Sequence, residues 1–302
     1  MVGSSLVAEL TKSGFTNLQL TNSADADLRN QVDVKHLVER TRPSTAILVA
    51  AKVGGVLANS TKPGSFAIDN LLIQSLILNE LVKSDVRKII FIGSSCVYPK
   101  DAPLPLEPRS LLTGPLEETN KWYATAKLSM MMALDGVSKE FGIKTVTLMP
   151  TNLFGPRDSF DLEFGHLIPS LIHKCHLAKA NNAGTFSVWG SGKAMREVLY
   201  VDDLARAVIT ILNNNEIAGP INVGSGDERS ILEIAREISI TVGFLGQIEL
   251  DSLKPDGVLR KPLNSNPLRD LGWIPKVDFK TGLELTYKWY LEALKAGKVR
   301  NG

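Results

Sequence analysis

Two cysteines, Cys96 and Cys175, are the only thiols in this 302-residue chain. One pair cannot build a disulfide framework, and such sparse usage suits a reducing compartment. Charge of one sign is equally scarce: 34 Lys and Arg against 32 Asp and Glu leave a formal +2. A field that small favours neither nucleic acid nor an anionic membrane as a partner. No apolar run approaches the ~20 residues of a membrane span. The first residues lack the charged and apolar regions of a signal peptide. Low-complexity tracts and repeats of solenoid period are missing too. These absences leave the expectation of a cytoplasmic globular protein with ample core for one large or two modest domains.

What is present is an alternation. The apolar runs "TAILVA" (45–50), "RKIIFIG" (87–93) and "KTVTLMP" (144–150) alternate with helix-period segments at 31–40, about 65–83 and about 121–141. Continuous apolar strands separated by helices predict a parallel sheet covered on both faces, with right-handed crossovers. After Pro150 the strands shorten, turns multiply and a histidine-bearing helix is expected near 166–180. The expected fold is therefore α/β: a doubly wound parallel sheet, Rossmann-like, with a smaller C-terminal α/β lobe. Residues 1–155 would form the dinucleotide-binding domain, completed by segments near 196–225, and residues 156–302 mainly the substrate lobe.

The opening "MVGSSLVAEL" reads as a helix over about 4–12, followed by a strand "NLQL" at 18–21. In a dinucleotide fold such a helix follows a central strand and a glycine turn that lets the backbone approach pyrophosphate. That strand and its first glycines are absent here, and Gly3 matches only the last glycine, the one needed for close helix packing. A chain truly starting at Met1 is expected to fold poorly or fail to hold cofactor. A natural start upstream is the simpler expectation.

The chemistry is carried by "SSCVYP" (94–99) and "WYATAK" (122–127). Tyr123 and Lys127 stand i, i+4 on a helix and so share one face. A tyrosine hydroxyl is a poor acid–base near neutrality, and an ammonium one turn away should favour the phenolate. Ser94 ends an apolar strand, at the crevice where doubly wound sheets bind ligands, with a hydroxyl able to donate to a carbonyl.

Serine, tyrosine and lysine in this order resemble the short-chain dehydrogenase/reductase superfamily, and the long C-terminal half resembles its extended branch. "AAKVGGVLANSTKPGSF", "FIGSSCVYPK", "LEETNKWYATAK", "MPTNLFGPRDSF", "VWGSGKAMREVLYVDD" and "KPDGVLRK" are together similar to the GDP-L-fucose synthase family. The resemblance implies NADPH as cofactor and a GDP-4-keto-6-deoxymannose substrate, with C3/C5 epimerisation followed by C4 reduction. It implies a catalytic set of Ser94, Cys96, Tyr123, Lys127 and His166, with Cys96 and His166 as the epimerisation pair. A 4-keto group acidifies its neighbouring C–H bonds, and a thiol and an imidazole exchange protons near neutrality.

For the cofactor the resemblance implies Gly3, Asp27, Leu28, Ala50, Ala51, Lys52, Ile92, Gly93, Ser94, Ser95, Lys127, Pro150, Thr151, Asn152, Leu153 and His166. For the GDP-sugar it implies Lys174, Trp189, Arg196, Asp256 and Lys261, cations and an aromatic suited to a diphosphate and a packed sugar. It further implies a homodimer through a four-helix bundle of the helices near 66–83 and 120–142. Another nucleotide-sugar epimerase or reductase of the superfamily, or a non-catalytic truncated form, are the alternatives. "HKCH" (173–176) offers two histidines at i, i+3 but no second ligand pair, so no metal is expected. "GSGK" (190–193) reads as a turn between two strands, not a phosphate loop.

Overall fold

The computed structural model describes residues 1–254 and 256–299. Pro255 of the "KPDGVLRK" motif and the last three residues of the expected C-terminal lobe lie outside the described residues. The chain runs α1 (Val2–Lys12), α2 (Gln31–Thr41), β1 (Thr45–Leu48), α3 (Val56–Thr61), α4 (Pro63–Val82), β2 (Lys88–Ile92), α5 (Lys121–Phe141), β3 (Lys144–Pro150) and β4 (Asn152–Phe154). It continues through α6 (Leu167–Ala180), β5 (Thr185–Trp189), β6 (Met195–Tyr200), α7 (Val201–Leu212), β7 (Gly219–Val223), β8 (Glu228–Ser230), α8 (Ile231–Val242), β9 (Gln247–Asp251), α9 (Asn266–Arg269) and α10 (Phe279–Lys295).

Strands β1, β2, β3 and β7 form one parallel sheet in that order, in register from Thr45↔Lys88 to Pro150↔Val223. Alternation along β2 explains why both of its faces are buried. Ile89 and Phe91 pack with α2, α4 and α5, while Ile90 and Ile92 pack with α1 and α7. A third apolar cluster joins α6, α8 and α10 to β5 and β6 around Phe160, Ile172 and Tyr290. There β5 pairs parallel with β9, and β6 lies between β4 and β8.

Local signals set the helix ends. Asn30 caps α2 by accepting from the N–H groups of Val32 and Asp33, and Pro63 opens α4 at a position where its missing N–H costs nothing. Ser230 and Glu233 make a reciprocal capping box on α8. Gly142 ends α5 in the left-handed region at φ 68°.

Two sequence expectations change here. Residues 18–21 are not a strand: β1 is the sheet edge among the described residues, and no neighbour offers "NLQL" a ladder. Strand character needs that partner, whatever the local propensity. Helix α4, with mean hydropathy 1.2 over a window of 18, is long and apolar enough to cross a membrane by length and composition. It packs instead on α2 and α5, and it buries Asn70, Gln74 and Glu80.

The two halves of the chain meet at Glu197 in β6, 1% exposed. Its carboxylate accepts from the N–H of Gly226 at 2.7 Å and of Leu263 at 2.9 Å. Its carbonyl accepts from Thr151 Oγ1 and Asn152 Nδ2. Replacing Glu197 by Gln turns one acceptor into a donor facing a backbone N–H. The variant is expected to lose about 1–3 kcal/mol, seen as a lower urea midpoint at unchanged slope.

Candidate active site

Strand β2 ends at Gly93, where a side chain has no room. A Cβ there would lie 2.9 Å from Thr147 Cγ2 and 3.2 Å from the Leu148 carbonyl. The chain then turns through a short 3-10 helix, Ser95–Val97, capped by the Ser94 hydroxyl, which accepts from the Cys96 N–H at 3.2 Å. One turn therefore carries Ser94, Ser95 and Cys96, and α5 packs against it.

From α5, Lys127 is 2% exposed and donates to the Ile92 carbonyl at 2.8 Å. Its Nζ sits 4.5 Å from the Phe91 ring centroid and 5.8 Å from that of Tyr123. Burial pulls its pKa down to about 7. Burial also pushes the Tyr123 hydroxyl well above its ordinary 10; Cys96 adds to the rise, and the Ser94 hydroxyl opposes it. The expected lowering of Tyr123 by Lys127 is thus overturned. Desolvation sets the direction, because both groups are buried. Tyr123 stays protonated and can act as an acid.

His166 stands at the N-cap of α6, with Nδ1 3.5 Å from Asp158 Oδ1. Burial favours the neutral imidazole, but the hydrogen bond and charge of Asp158 outweigh it, and the pKa lies above 6.5. Asp158 is 6% exposed, and its second carboxylate oxygen is buried without a partner. The "AAKVGG" loop reaches this segment directly. Gly55 N–H donates to the Phe164 carbonyl, and a Cβ on Gly55 would lie inside contact of the Gly165 carbonyl.

Of the nominated cofactor residues, Ala50–Lys52, Ile92–Ser95 and Pro150–Thr151 lie at or just beyond the carboxyl ends of β1, β2 and β3. Asn70, fully buried, holds the backbone of Lys52 on both sides, accepting from its N–H at 2.9 Å and donating to its carbonyl at 3.0 Å. Lys52 pairs with Asp69, which Arg29 approaches at 3.8 Å. Leu28 packs on the α2–α4–α5 core, and Pro150 ends β3 against Val223. Thr151 is buried, and Leu153 packs on the α1–α7 core. Lys127 suits a dinucleotide: it is a buried ammonium with one proton on a carbonyl, so ribose hydroxyls can take the others.

Two nominations change in meaning. Asp27 is already gripped by Arg29 through Nε and Nη2, its carboxyl held at about 2 by that bond, so its acceptor capacity toward an adenine is largely taken. Gly3 lies in the first turn of α1, where a Cβ would meet nothing within 4 Å. No packing among the described residues requires glycine there.

The nominated sugar residues form two groups. Lys174 and Lys254 place their Nζ atoms 4.8 and 5.2 Å from the Trp189 ring centroid. Arg196 donates to the carbonyls of Met195 and Val258, and Asp256 accepts from the Ser191 N–H at 2.7 Å. Cys96 and Arg196 interact electrostatically, which joins this group to the catalytic turn. Lys261 is half-buried two residues before Leu263. Sequence reasoning missed Asp158, Asn70 and Lys254. Asp158 was visible within "MPTNLFGPRDSF", but nothing local announces its partner.

The residues left out of the site are accounted for. His173 and His176 bond to the Phe160 carbonyl and the Tyr287 hydroxyl, Cys175 is fully buried, and residues 190–193 turn between β5 and β6. A cavity of about 640 Å³ opens at the amino ends of β1–β3. There Lys88 and Lys144 donate to carbonyls beyond the end of α7, as cations do at helix C-termini.

A doubly wound sheet with serine, tyrosine and lysine at its carboxyl edge defines a nucleotide-dependent reductase of the short-chain type. The sequence model of the NAD dependent epimerase/dehydratase family matches residues 1–224. The chain belongs to that family and stands among its GDP-L-fucose synthases. A probable GDP-L-fucose synthase 1 of Oryza sativa subsp. japonica is 45% identical over 299 residues, covering 99% of this chain and 91% of its own. The GDP-L-fucose synthase of Escherichia coli K12 is 39% identical, covering 97% and 94%. A crystal structure of a GDP-L-fucose synthetase from Naegleria fowleri bound to NADP superposes with TM-score 0.91 at 31% identity, covering 98% and 91%.

Asp158→Asn tests the electrostatics of the imidazole. A raised histidine pKa contributes stability that is complete below about 6.5 and is lost as pH rises through the folded value. Thermal melts of the parent should show that loss, and those of the variant should not. Any proton transfer that needs the imidazolium should fall above neutrality by about tenfold per unit that the pKa drops.

Proposed function

We propose that this chain converts GDP-4-keto-6-deoxymannose to GDP-L-fucose with NADPH, in the cytoplasm and as a homodimer. The observation that carries the reading is the single turn after β2 that presents Ser94 and Cys96 beside Tyr123. One ketone placed there meets both an acid–base thiol and a reductive acid.

In the first stage Cys96 and His166 remove and return protons at C3 and C5, which the C4 ketone acidifies. The raised pKa of His166 keeps a proton available for delivery. In the second stage Ser94 donates a hydrogen bond to O4, and Tyr123 gives O4 its proton. Lys127 stabilises the tyrosinate left behind and holds the nicotinamide ribose. NADPH, when bound, supplies the hydride to C4. Lys174, Lys254, Trp189 and Arg196 would hold the GDP-sugar, with cations matched to its diphosphate.

The dimer proposal rests on the outer face of α4 and α5, which leaves Ile68, Leu71, Leu72 and Met132 exposed. Exposed apolar side chains on two packed helices are the kind of surface a second copy covers.

Two experiments test the reading. Purified chain given the 4-keto sugar and NADPH should oxidise the cofactor and yield GDP-L-fucose. Tyr123→Phe should cut reduction by about 10²–10⁴-fold while solvent deuterium still enters C3 and C5. Cofactor oxidation without epimerised product would assign the chain to a simple 4-reductase. In light scattering, Ile68→Asp with Leu72→Asp should give half the parent mass; equal masses would remove the bundle interface.

A further inference from the structure

Asn120 holds the first position before α5, where an asparagine ordinarily accepts from the helix's first free N–H groups. Here it makes no such cap. Its Nδ2 instead points at the Cys96 sulfur, 3.6 Å away, and its Oδ1 is buried without a partner. Forgoing the cap and leaving a buried acceptor unmet both cost stability. The backbone that carries it is fixed by its own turn. Glu117 accepts from the Thr119 N–H and hydroxyl, and the Asn120 N–H donates to the Glu117 carbonyl at 3.3 Å.

We infer that Asn120 is a positioning residue for the epimerisation thiol. Its carboxamide donates to sulfur when Cys96 is a thiolate and, rotated by half a turn, offers Oδ1 to the S–H when the proton has arrived. A residue that must take a proton and return it needs a neighbour that satisfies both states, and a carboxamide has one head for each. The other titratable groups that interact electrostatically with Cys96 are Tyr123 of α5 and Arg196 of β6, with Glu117 acting on Arg196 from the same turn as Asn120. Arg196 can only donate, and the Tyr123 hydroxyl is hydrogen-bonded to Ser94, which leaves the Asn120 carboxamide as the side chain hydrogen-bonded to the sulfur. The inference rests on the proposed role of Cys96.

The test uses the full chain and two variants, Asn120→Asp, which keeps the shape and removes the donor, and Asn120→Ala. Iodoacetamide labelling of Cys96 is followed across pH, with Cys96→Ser as the blank; Cys175 is fully buried and gives no signal. At neutral pH labelling should slow at least fivefold in Asn120→Ala and further in Asn120→Asp. Both should converge on the parent at alkaline pH. Solvent deuterium entry at C3 and C5 should fall at least tenfold in both. Parent-like labelling profiles would overturn the inference, as would a slowing that persists unchanged at alkaline pH. If the parent itself exchanges no deuterium, the functional reading fails, while the labelling profile still judges the contact between Asn120 and Cys96. Should Asn120→Ala unfold, the isosteric Asn120→Asp decides alone.

Discussion

The Glu197 carboxylate is bound on both oxygens by backbone N–H groups, one from the loop after β7 and one from the segment ahead of α9. Its carbonyl is bound by the two side chains that follow β3. A carboxylate this deeply buried is expensive to desolvate, and burial raises its pKa accordingly; the backbone donors oppose the rise. Four stretches of chain, remote in sequence, are thereby fixed against one another. They include Pro150–Leu153, nominated for the cofactor, and the segment ahead of Leu263 that carries Lys261, nominated for the sugar. The neighbouring Arg196 is fixed with it, its guanidinium on the carbonyls of Met195 and Val258 and within electrostatic reach of Cys96.

The catalytic turn obeys a related constraint with the opposite sign of charge. Among the described residues Lys127 is buried with no carboxylate paired to it, against a carbonyl and two aromatic rings. Dry surroundings push an ammonium down and a phenol up, so Lys127 and Tyr123 are both driven toward their neutral forms. A neutral phenol is the form that donates a proton. The ammonium becomes most favoured at the moment a tyrosinate appears next to it, so the pair is tuned to stabilise the product of the transfer more than the resting state.

Much of this could be read from residue order because it is local. The span of α5 follows from its apolar period and from Gly142, and the burial of β2 from its unbroken apolar run. Tyr123 and Lys127 share a helix face by spacing alone. The remainder depends on contacts that spacing does not encode. Residues 18–21 have strand composition and no ladder partner. Asn70 is an unremarkable residue within a helical pattern, and only the fold brings it to Lys52, 18 residues away. Asp158 sits eight residues from His166 across an irregular loop, and nothing in the residue order around Asn120 announces that its amide turns to the Cys96 sulfur. The Tyr123 shift runs opposite to what the spacing implies for the same reason: charge spacing is visible in a sequence, but the dryness of the pocket is not.

The division of labour between cores follows. Ser94, Tyr123 and Lys127 come from β2 and α5, elements of a single packed layer, so the geometry of reduction is settled by one core. Cys96 shares that layer, whereas His166 and Asp158 come from the segment leading into α6, whose apolar side belongs to the cluster of Phe160 and Ile172. Under the proposed roles, epimerisation requires two cores to be in register and reduction requires one. The structure couples them where β6 passes between β4 and β8 and where Gly55 meets Phe164 and Gly165 too closely for any side chain. A change at either junction would therefore disturb the thiol–imidazole pair before it reached the tyrosine. The earlier chemical stage is the more demanding of the fold.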